Sequence, residues 1–335
     1  MAGNPNQKLK LLYLAQFLQN NTDEEHCASI KDISEMLASH GVTSERKSLY
    51  KDIEALNTVG FEIVKGYTPS RGYCIGKRQF ELAELRLLID AVESSPIIPP
   101  ERTSELTRKL KSLTSVHLSE QLGGVLYTEN QVKSTNEEIL NNIDCIHRAI
   151  RLKKKIKFTY SHMVLKDNIP SFSEGREFVI SPYAAIWNSD KYYLVGNYEK
   201  YNDLSHYRID RMRAAECTAQ DIRHYSEVSE YSDVFDCADY SRKIFNMYSG
   251  SESVPIELLC DNSVLEAIID KFGVFAKFEE LPEEGKFAVL GEGIINSGLV
   301  RWIINFGGAV FAKSPPKLVQ EVQKMLYSMR DSYKK

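Results

Sequence analysis

The sequence predicts a multidomain α+β protein, and three observations carry that expectation. The chain has 335 residues, enough for two domains of about 150 residues and a small third. Apart from one short hairpin, its apolar residues recur at helical spacing as far as about Leu152, then alternate in twos from Lys155. Near the C-terminus the runs take the order β-α-β-β-α-β, a split βαβ, ferredoxin-like arrangement with an added last helix.

Residues 8 to 75 read as helix, helix, helix, hairpin. Leu11, Leu14, Ala15 and Leu18 give the first helix one apolar face, and Ile30, Ile33 and Leu37 do the same for the second. Ser29 with Asp32 three residues on has the form of a capping box, and Gly41 is placed to end that helix. In the third helix Leu49, Ile53 and Leu56 share one side, Lys47, Tyr50, Lys51 and Glu54 share another, and Gly60 stops it. Short strands are expected at Phe61 to Val64 and Gly72 to Ile75, joined by KGYTPSR, whose Gly66, Pro69 and Ser70 are turn residues and whose Arg71 makes the tip basic.

From Phe80 to about Leu152 the helical runs FELAELRLLIDAV, SELTRKLKSL and ILNNIDCIHRAIRL form a connector, broken at Pro96, Pro99 and Pro100. KIKFTY, REFVIS, PYAAIW, KYYLVGNY and LSHYRI then read as five short strands of a small antiparallel barrel or sheet. The tail reads as strand VPIELLC, helix SVLEAIIDKF, strands VFAKFEEL and KFAVLGEGI, helix GLVRWIINF, strand AVFAK and a helix from Pro316. The expected domains are 1–78, 79–154, 155–225 and 226–335.

A formal net charge of −4 argues against binding polyanions over the whole surface, so any nucleic-acid site must be a local patch. Cys27, Cys74, Cys145, Cys217, Cys237 and Cys260 lie far apart without a C-x-x-C or paired His ligands, which predicts reduced thiols, no metal site and no disulfide framework. No apolar run approaches the roughly 20 residues of a membrane span, and KLKLLYLAQFL runs into NNTDEE without a signal-peptide cleavage site. The expected location is the cytoplasm. No G-x-x-x-x-G-K-[ST], H-E-x-x-H or G-x-S-x-G occurs, so neither catalysis nor a cofactor is expected.

Two short helices, a third with a polar-basic outer face and a basic hairpin make a winged helix-turn-helix, whose third helix enters the major groove of DNA. Such a helix needs side chains that reach base edges near its start and cations that neutralise phosphates. Arg46, Lys47, Ser48, Tyr50 and Lys51, with Arg71 in the hairpin, are the right types for contact with double-stranded DNA. The competing reading is a solvated helix face, since Glu45, Asp52 and Glu54 dilute the charge. A second basic stretch, with Arg148, Arg151, Lys153, Lys154, Lys155 and Lys157, reads as a solvated face or helix C-terminus. Glu279, Glu280, Glu283 and Glu284 around Pro282 read as an exposed hairpin turn.

GVTSERKSLYKDIEALNTVGFEIV resembles the recognition-helix and wing segment of the bacterial WYL-domain transcriptional regulators. SPYAAIWNSDKYYLVGNYEKYNDLSHYRIDRM resembles the WYL domain itself, with Tyr192, Tyr193 and Leu194 at the Trp-Tyr-Leu triplet; the first position is Tyr here, at what reads as a packing residue. The tail from VPIELLC to KLVQEV is similar to the C-terminal extension of those regulators. The resemblance covers nearly the whole chain. It implies an Sm-like small β-barrel and a sensory role, with an anionic effector, small molecule or nucleic acid, bound there. It carries Arg208, Asp210 and Arg211 onto the family's Arg-x-Asp-Arg segment.

Alternation supports that geometry: Tyr193, His206 and Arg208 are expected on the polar face of neighbouring strands, away from Tyr192, Leu194, Tyr207 and Ile209. The guanidinium of Arg208 suits phosphate or carboxylate, Tyr193 offers a stacking surface and hydroxyl, and His206 offers a switchable donor. The bland alternative pairs Arg208 and Arg211 structurally with Asp210 or Glu177. The function expected is a bacterial transcriptional regulator acting as a homodimer on paired half-sites. The alternative is a nucleic-acid-processing enzyme, or its accessory subunit, targeted by the winged helix.

Overall fold

The computed structural model describes residues 5–67, 71–123, 133–248, 253–283 and 285–334. The chain divides into two compact units, Met1–Thr135 and Asn136–Lys335.

The first unit opens with helices α1 (Lys10–Asn21), α2 (Ile30–Ser39) and α3 (Arg46–Thr58), then a hairpin of β1 (Ile63–Gly66) and β2 (Gly72–Ile75). Three helical apolar faces meet in one core: Leu14 and Leu18, Ile33 and Leu37, and Leu49, Ile53 and Leu56, closed by Ile63 and Ile75 from the hairpin. The Ser29–Asp32 capping box forms with both hydrogen bonds, at 2.8 and 3.2 Å. Gly41, at φ +73°, ends α2 in a conformation that costs a side chain energy.

The first strand lies two residues further along than Phe61 to Val64. Asn57 at the end of α3 accepts from the backbone N–H of Ile63 at 2.7 Å and donates to its carbonyl at 3.0 Å, so Phe61 and Glu62 are spent on the exit from the helix. Pro69 and Ser70 of the expected turn, like Glu284 of the acidic turn, lie outside the described residues. Beyond the hairpin come α4 (Leu82–Ser94), α5 (Pro100–Lys111) and α6 (Val116–Glu120). Pro100 stands at the first position of α5, where its missing N–H costs nothing. Leu85 and Ile89 of α4 bury against Leu122.

The second unit begins with α7 (Ile139–Leu152), followed by β3 (Lys154–Tyr160), β4 (Met163–Lys166), β5 (Ile169–Phe172), β6 (Arg176–Asn188), β7 (Lys191–Tyr198), β8 (Ser205–Arg208) and β9 (Met212–Asp221). The connector expected to run to residue 154 stops short of α7. Ile139, Ile146 and Ala149 of α7 bury in the same core as Ile156, Phe158, Ile180, Leu194 and Tyr207. The main sheet is antiparallel in the order β8-β7-β6-β3-β9.

A closed barrel does not form among the described residues, because no ladder joins β8 to β9. A 3-10 turn, Ile209–Arg211, intervenes. The carbonyls of Asp210 and Met212 accept from Asn136 Nδ2 at 3.0 and 2.8 Å, and Asn142 Nδ2 also reaches the Met212 carbonyl at 3.0 Å. Acceptors beside the two edge strands are thus turned toward α7 and the segment before it.

The opposite face of this sheet is covered too. Tyr183, Ala184, Ile186, Val195 and Leu204 pack against Val228, Phe235, Tyr240, Ile244 and Met247, from the segment that includes α8 (Cys237–Lys243). Lys243 pins this cover through ion pairs to Asp239 at 2.7 Å, Glu230 at 2.8 Å and Glu292 at 3.0 Å.

The pair β4–β5 is an element that the sequence pattern does not predict. Asp167 and Asn168 make its turn with φ of +52° and +61°, the left-handed pair of a tight hairpin. The remainder consists of β10 (Ser253–Asp261), α9 (Leu265–Phe272), β11 (Lys277–Glu280), β12 (Lys286–Ile294), α10 (Ser297–Ile304), β13 (Val310–Ser314) and α11 (Pro316–Ser332). Its sheet order is β11-β12-β10-β13, every neighbour antiparallel, as the order β-α-β-β-α-β leads one to expect. Leu258, Val289, Leu299, Ile303 and Leu318 fill its core.

Candidate functional site

The sequence-predicted residues fall into two groups, one in each unit.

In the first group, Leu49, Ile53 and Leu56 turn inward and leave Arg46, Lys47, Tyr50 and Lys51 exposed on one face of α3. Arg46 Nε donates to Tyr50 Oη at 2.7 Å, with its guanidinium carbon 5.6 Å from the ring centre. The Tyr50 ring lies 6.2 Å from that of Tyr73 on β2. Tyr73 faces Lys65 across the hairpin, and the Lys65 ammonium sits 5.5 Å from the ring of Tyr67. Cations and aromatic rings are therefore interleaved in one row from α3 onto the hairpin, in the order Arg46, Tyr50, Tyr73, Lys65 and Tyr67, and Arg71 of the hairpin is also exposed. Such interleaving suits a nucleic acid, whose phosphates attract the cations and whose sugars and bases pack on rings.

Ser48 departs from expectation. Its hydroxyl accepts from Lys10 Nζ at 2.8 Å, and Lys10, itself buried, also forms an ion pair with Asp52. Ser48 thus belongs to the seam between α3 and α1, outside the exposed row. Lys65, Tyr67 and Tyr73 are members that sequence reasoning misses. Their signal is the aromatic and basic residues at period two in VKGY and GYC, segments whose pattern otherwise says only turn and strand.

In the second group, the register of β7 and β8 places Tyr193 opposite Arg208 and Val195 opposite His206. Arg208 grips Asp210 with both arms, Nη2 to Oδ2 at 2.7 Å and Nε to Oδ1 at 3.1 Å. Of the two structural partners weighed for it, Asp210 is the one present, while Glu177 pairs with Lys157 at 2.9 Å. Burial alone would lower the pKa of Arg208, but the hydrogen bonds and charge of Asp210, with Tyr193 and Tyr160, together raise it. The Arg208 backbone N–H donates to Tyr160 Oη at 3.1 Å, and the Arg211 charge lies close enough to act on the same phenol. Burial pushes both Tyr160 and Tyr193 up, with Arg208, Asp210 and Arg211 close enough to act on Tyr193.

Tyr193, Arg208, Asp210 and Arg211 are thus together, joined by Tyr160, whose hydroxyl partner no local pattern could announce. His206 is elsewhere. It shares the strand face but lies under the cover, with Nε2 2.9 Å from Tyr240 Oη and Nδ1 shielded from solvent beside the backbone of Met247. Burial lowers its pKa to about 4, so it stays neutral at physiological pH instead of offering a switchable charge to an effector.

Of the basic stretch, Arg148 and Arg151 lie on α7 near its C-terminus, while Lys154 pairs with Asp221 (2.7 Å), Lys155 with Glu199 (2.9 Å) and Lys157 with Glu177, so these three lysines are paired across the sheet and are not a freely solvated face. Among the described residues, no group of three or more His, Cys, Asp or Glu is arranged to hold a metal ion, and no helix is long and apolar enough to cross a membrane.

No curated protein matches the chain. Among solved structures it is similar to the proteasome accessory factor B/C (PafBC) of Arthrobacter aurescens, with 16% identity over 95% of this chain and a TM-score of 0.27. The chain spans about half of that protein, 47% of its length. It is also similar to a CRISPR Cas-related protein, with 16% identity, covering 87% of this chain and 74% of the other at a TM-score of 0.35. Scores this low establish no shared fold. The family model for the WYL domain matches residues 141–217, which hold most of α7, most of the five-stranded sheet and all five residues of the second group. Residues 141–217 are a WYL domain.

Proposed function

We propose that the protein is a bacterial, cytoplasmic transcriptional regulator. In this reading residues 1–78 are a winged helix-turn-helix that binds double-stranded DNA, and an anionic effector at the WYL domain sets the output. It acts as a homodimer on paired half-sites and catalyses no reaction. The observation that carries the reading is the row of Arg46, Tyr50, Tyr73, Lys65 and Tyr67 in a chain whose other unit contains a WYL domain.

The test is duplex binding by Lys47→Ala/Lys51→Ala. Both lysines are exposed on the outer face of α3, so the variant should keep its thermal midpoint. It should lose affinity by on the order of 10- to 100-fold near 0.1 M salt, and its log-log salt slope should flatten by roughly one unit for each phosphate no longer neutralised. A folded variant with unchanged affinity and slope sinks the DNA-binding assignment.

The sensing half of the proposal rests on the cluster of Tyr193, Arg208, Asp210 and Arg211. An incoming carboxylate or phosphate would take the fork that Asp210 now occupies, forming two charge-assisted bonds of about 1.5–3 kcal/mol each. Lys cannot reproduce that fork. Arg208→Lys should therefore respond less than wild type in reporter cells under inducing conditions, with basal operator binding preserved because α3 is untouched. Equal responses remove Arg208 from sensing.

A further inference from the structure

Cys27 and Cys74 stand far apart in sequence and face to face in the structure. Ala28 and Tyr73 form an antiparallel bridge and exchange both backbone hydrogen bonds, at 2.9 and 2.8 Å. One step along from that isolated bridge, its register brings Cys27 opposite Cys74. A position beside a hydrogen-bonded pair is a non-hydrogen-bonded one, where opposed Cα atoms lie about 4.5 Å apart and side chains approach most closely. That spacing falls within the roughly 4.4–6.8 Å over which a disulfide closes without moving backbone. Gly72 allows the approach: a Cβ there would lie 2.3 Å from the carbonyl oxygen of Ala28. The two sulfurs are close enough to act on each other, Cys27 adding to the rise that burial gives the Cys74 thiol.

The two thiols differ in access. Cys74 is only 1% exposed, and Cys27 is half-buried, with Sγ 3.8 Å from the Asp23 carbonyl and 3.9 Å from that of Glu24. Burial pushes the Cys74 thiol up to about 12. An oxidant therefore meets Cys27 first, while Cys74 waits behind it as a protonated partner.

We propose that Cys27 and Cys74 are a peroxide-sensitive thiol pair that closes as an intramolecular disulfide, tying the start of α2 to strand β2. Hydrogen peroxide is the oxidant. The Cys27 thiolate attacks the O–O bond, which breaks to give Cys27–SOH and one water. The Cys74 sulfur then attacks the sulfenic sulfur, the S–S bond forms, and the sulfenic oxygen leaves as a second water with the Cys74 proton. Two thiols are oxidised and one peroxide is reduced to two waters.

The test uses the full chain, fully reduced, then treated with hydrogen peroxide, quenched with catalase, alkylated with N-ethylmaleimide in denaturant and mapped by peptide mass spectrometry. The expected result is loss of alkylation at Cys27 and Cys74 together, with a linked pair of peptides that carries both residues and disappears with dithiothreitol. Cys237→Ala, which removes an exposed cysteine elsewhere, should retain the link, and Cys27→Ala should abolish it. Alkylation of both Cys27 and Cys74 in the treated wild type overturns the proposal. So does Cys27 recovered as a sulfinic acid without the link, or linkage only between chains. The wild-type map decides alone, so the proposal stands or falls on it even where a variant fails to fold.

Discussion

Replacing Lys10 with Ala should destabilise the first unit by about 3 kcal/mol, although Lys10 lies outside the exposed row. Lys10 is 5% exposed at the start of α1, and its ammonium serves both Ser48 and Asp52 on α3. Alanine leaves a carboxylate with 19% of its side chain exposed without its counter-charge, together with a hydroxyl that has lost its donor. Removing one partner of a buried pair is costly, whereas replacing both by apolar groups of similar volume is often neutral. Lys10→Met/Asp52→Leu should accordingly recover to within about 1 kcal/mol of wild type. Urea unfolding of the three chains decides, and a loss under about 1 kcal/mol for Lys10→Ala would show that the pair does not anchor α3. Because α3 carries Arg46, Lys47, Tyr50 and Lys51, duplex binding by Lys10→Ala should weaken as well.

The same residue shows where sequence patterns run out. Helical spacing locates α3 and its inward face, because Leu49, Ile53 and Leu56 need only their own helix to declare a side. Ser48 and Asp52 lie at the margin of that face, and what decides their orientation is a lysine on another helix. Alternation likewise groups Tyr193, His206 and Arg208 on one strand face, and the register of β7 with β8 keeps them there, but the expected polar face is instead an apolar one that also carries Ile186 and Val195 and is covered. Period two states which side chains share a face but not what covers it. The cover over His206 comes from Tyr240, in a different element.

The hairpin β4–β5 is invisible in the sequence for a related reason. Met163, Val164, Leu165, Ile169 and Phe172 are all exposed, so its residues show no separation into an apolar and a polar face for periodicity to detect. Strands with buried apolar runs leave clearer marks: β2 and β12 begin and end where the runs GYCI and KFAVLGEGI put them. The barrel is different again. It stays open at the turn between β8 and β9, where Asn136 and Asn142 take up the carbonyls of Asp210 and Met212, and asparagines before and within a helix carry no pattern that says so.

His206 gives the protein a pH dependence of known sign. In the unfolded chain an imidazole titrates near its ordinary value of about 6.5, whereas burial under Tyr240 holds it at about 4 in the fold. Between these values the unfolded state binds the proton and the folded state does not, so stability rises with pH through the window and is lost as pH falls. The full difference is about 3 kcal/mol, of which about 2 kcal/mol should already be gone at pH 5 relative to pH 7. Carboxylates whose pKa values the fold lowers, such as Asp23 through Ser115 and His26 after the opposing effect of burial, remain largely ionised over that range. Their contribution is lost lower down. His206→Gln, with a side chain that hydrogen-bonds but does not titrate, should flatten the pH dependence of the second unit between pH 5 and 7. Chemical denaturation of wild type and variant at both pH values isolates the His206 contribution, because the other histidines cancel in the comparison. Identical losses in the two proteins would mean that His206 takes up its proton inside the fold, and that the cover over the WYL sheet opens readily enough to let it.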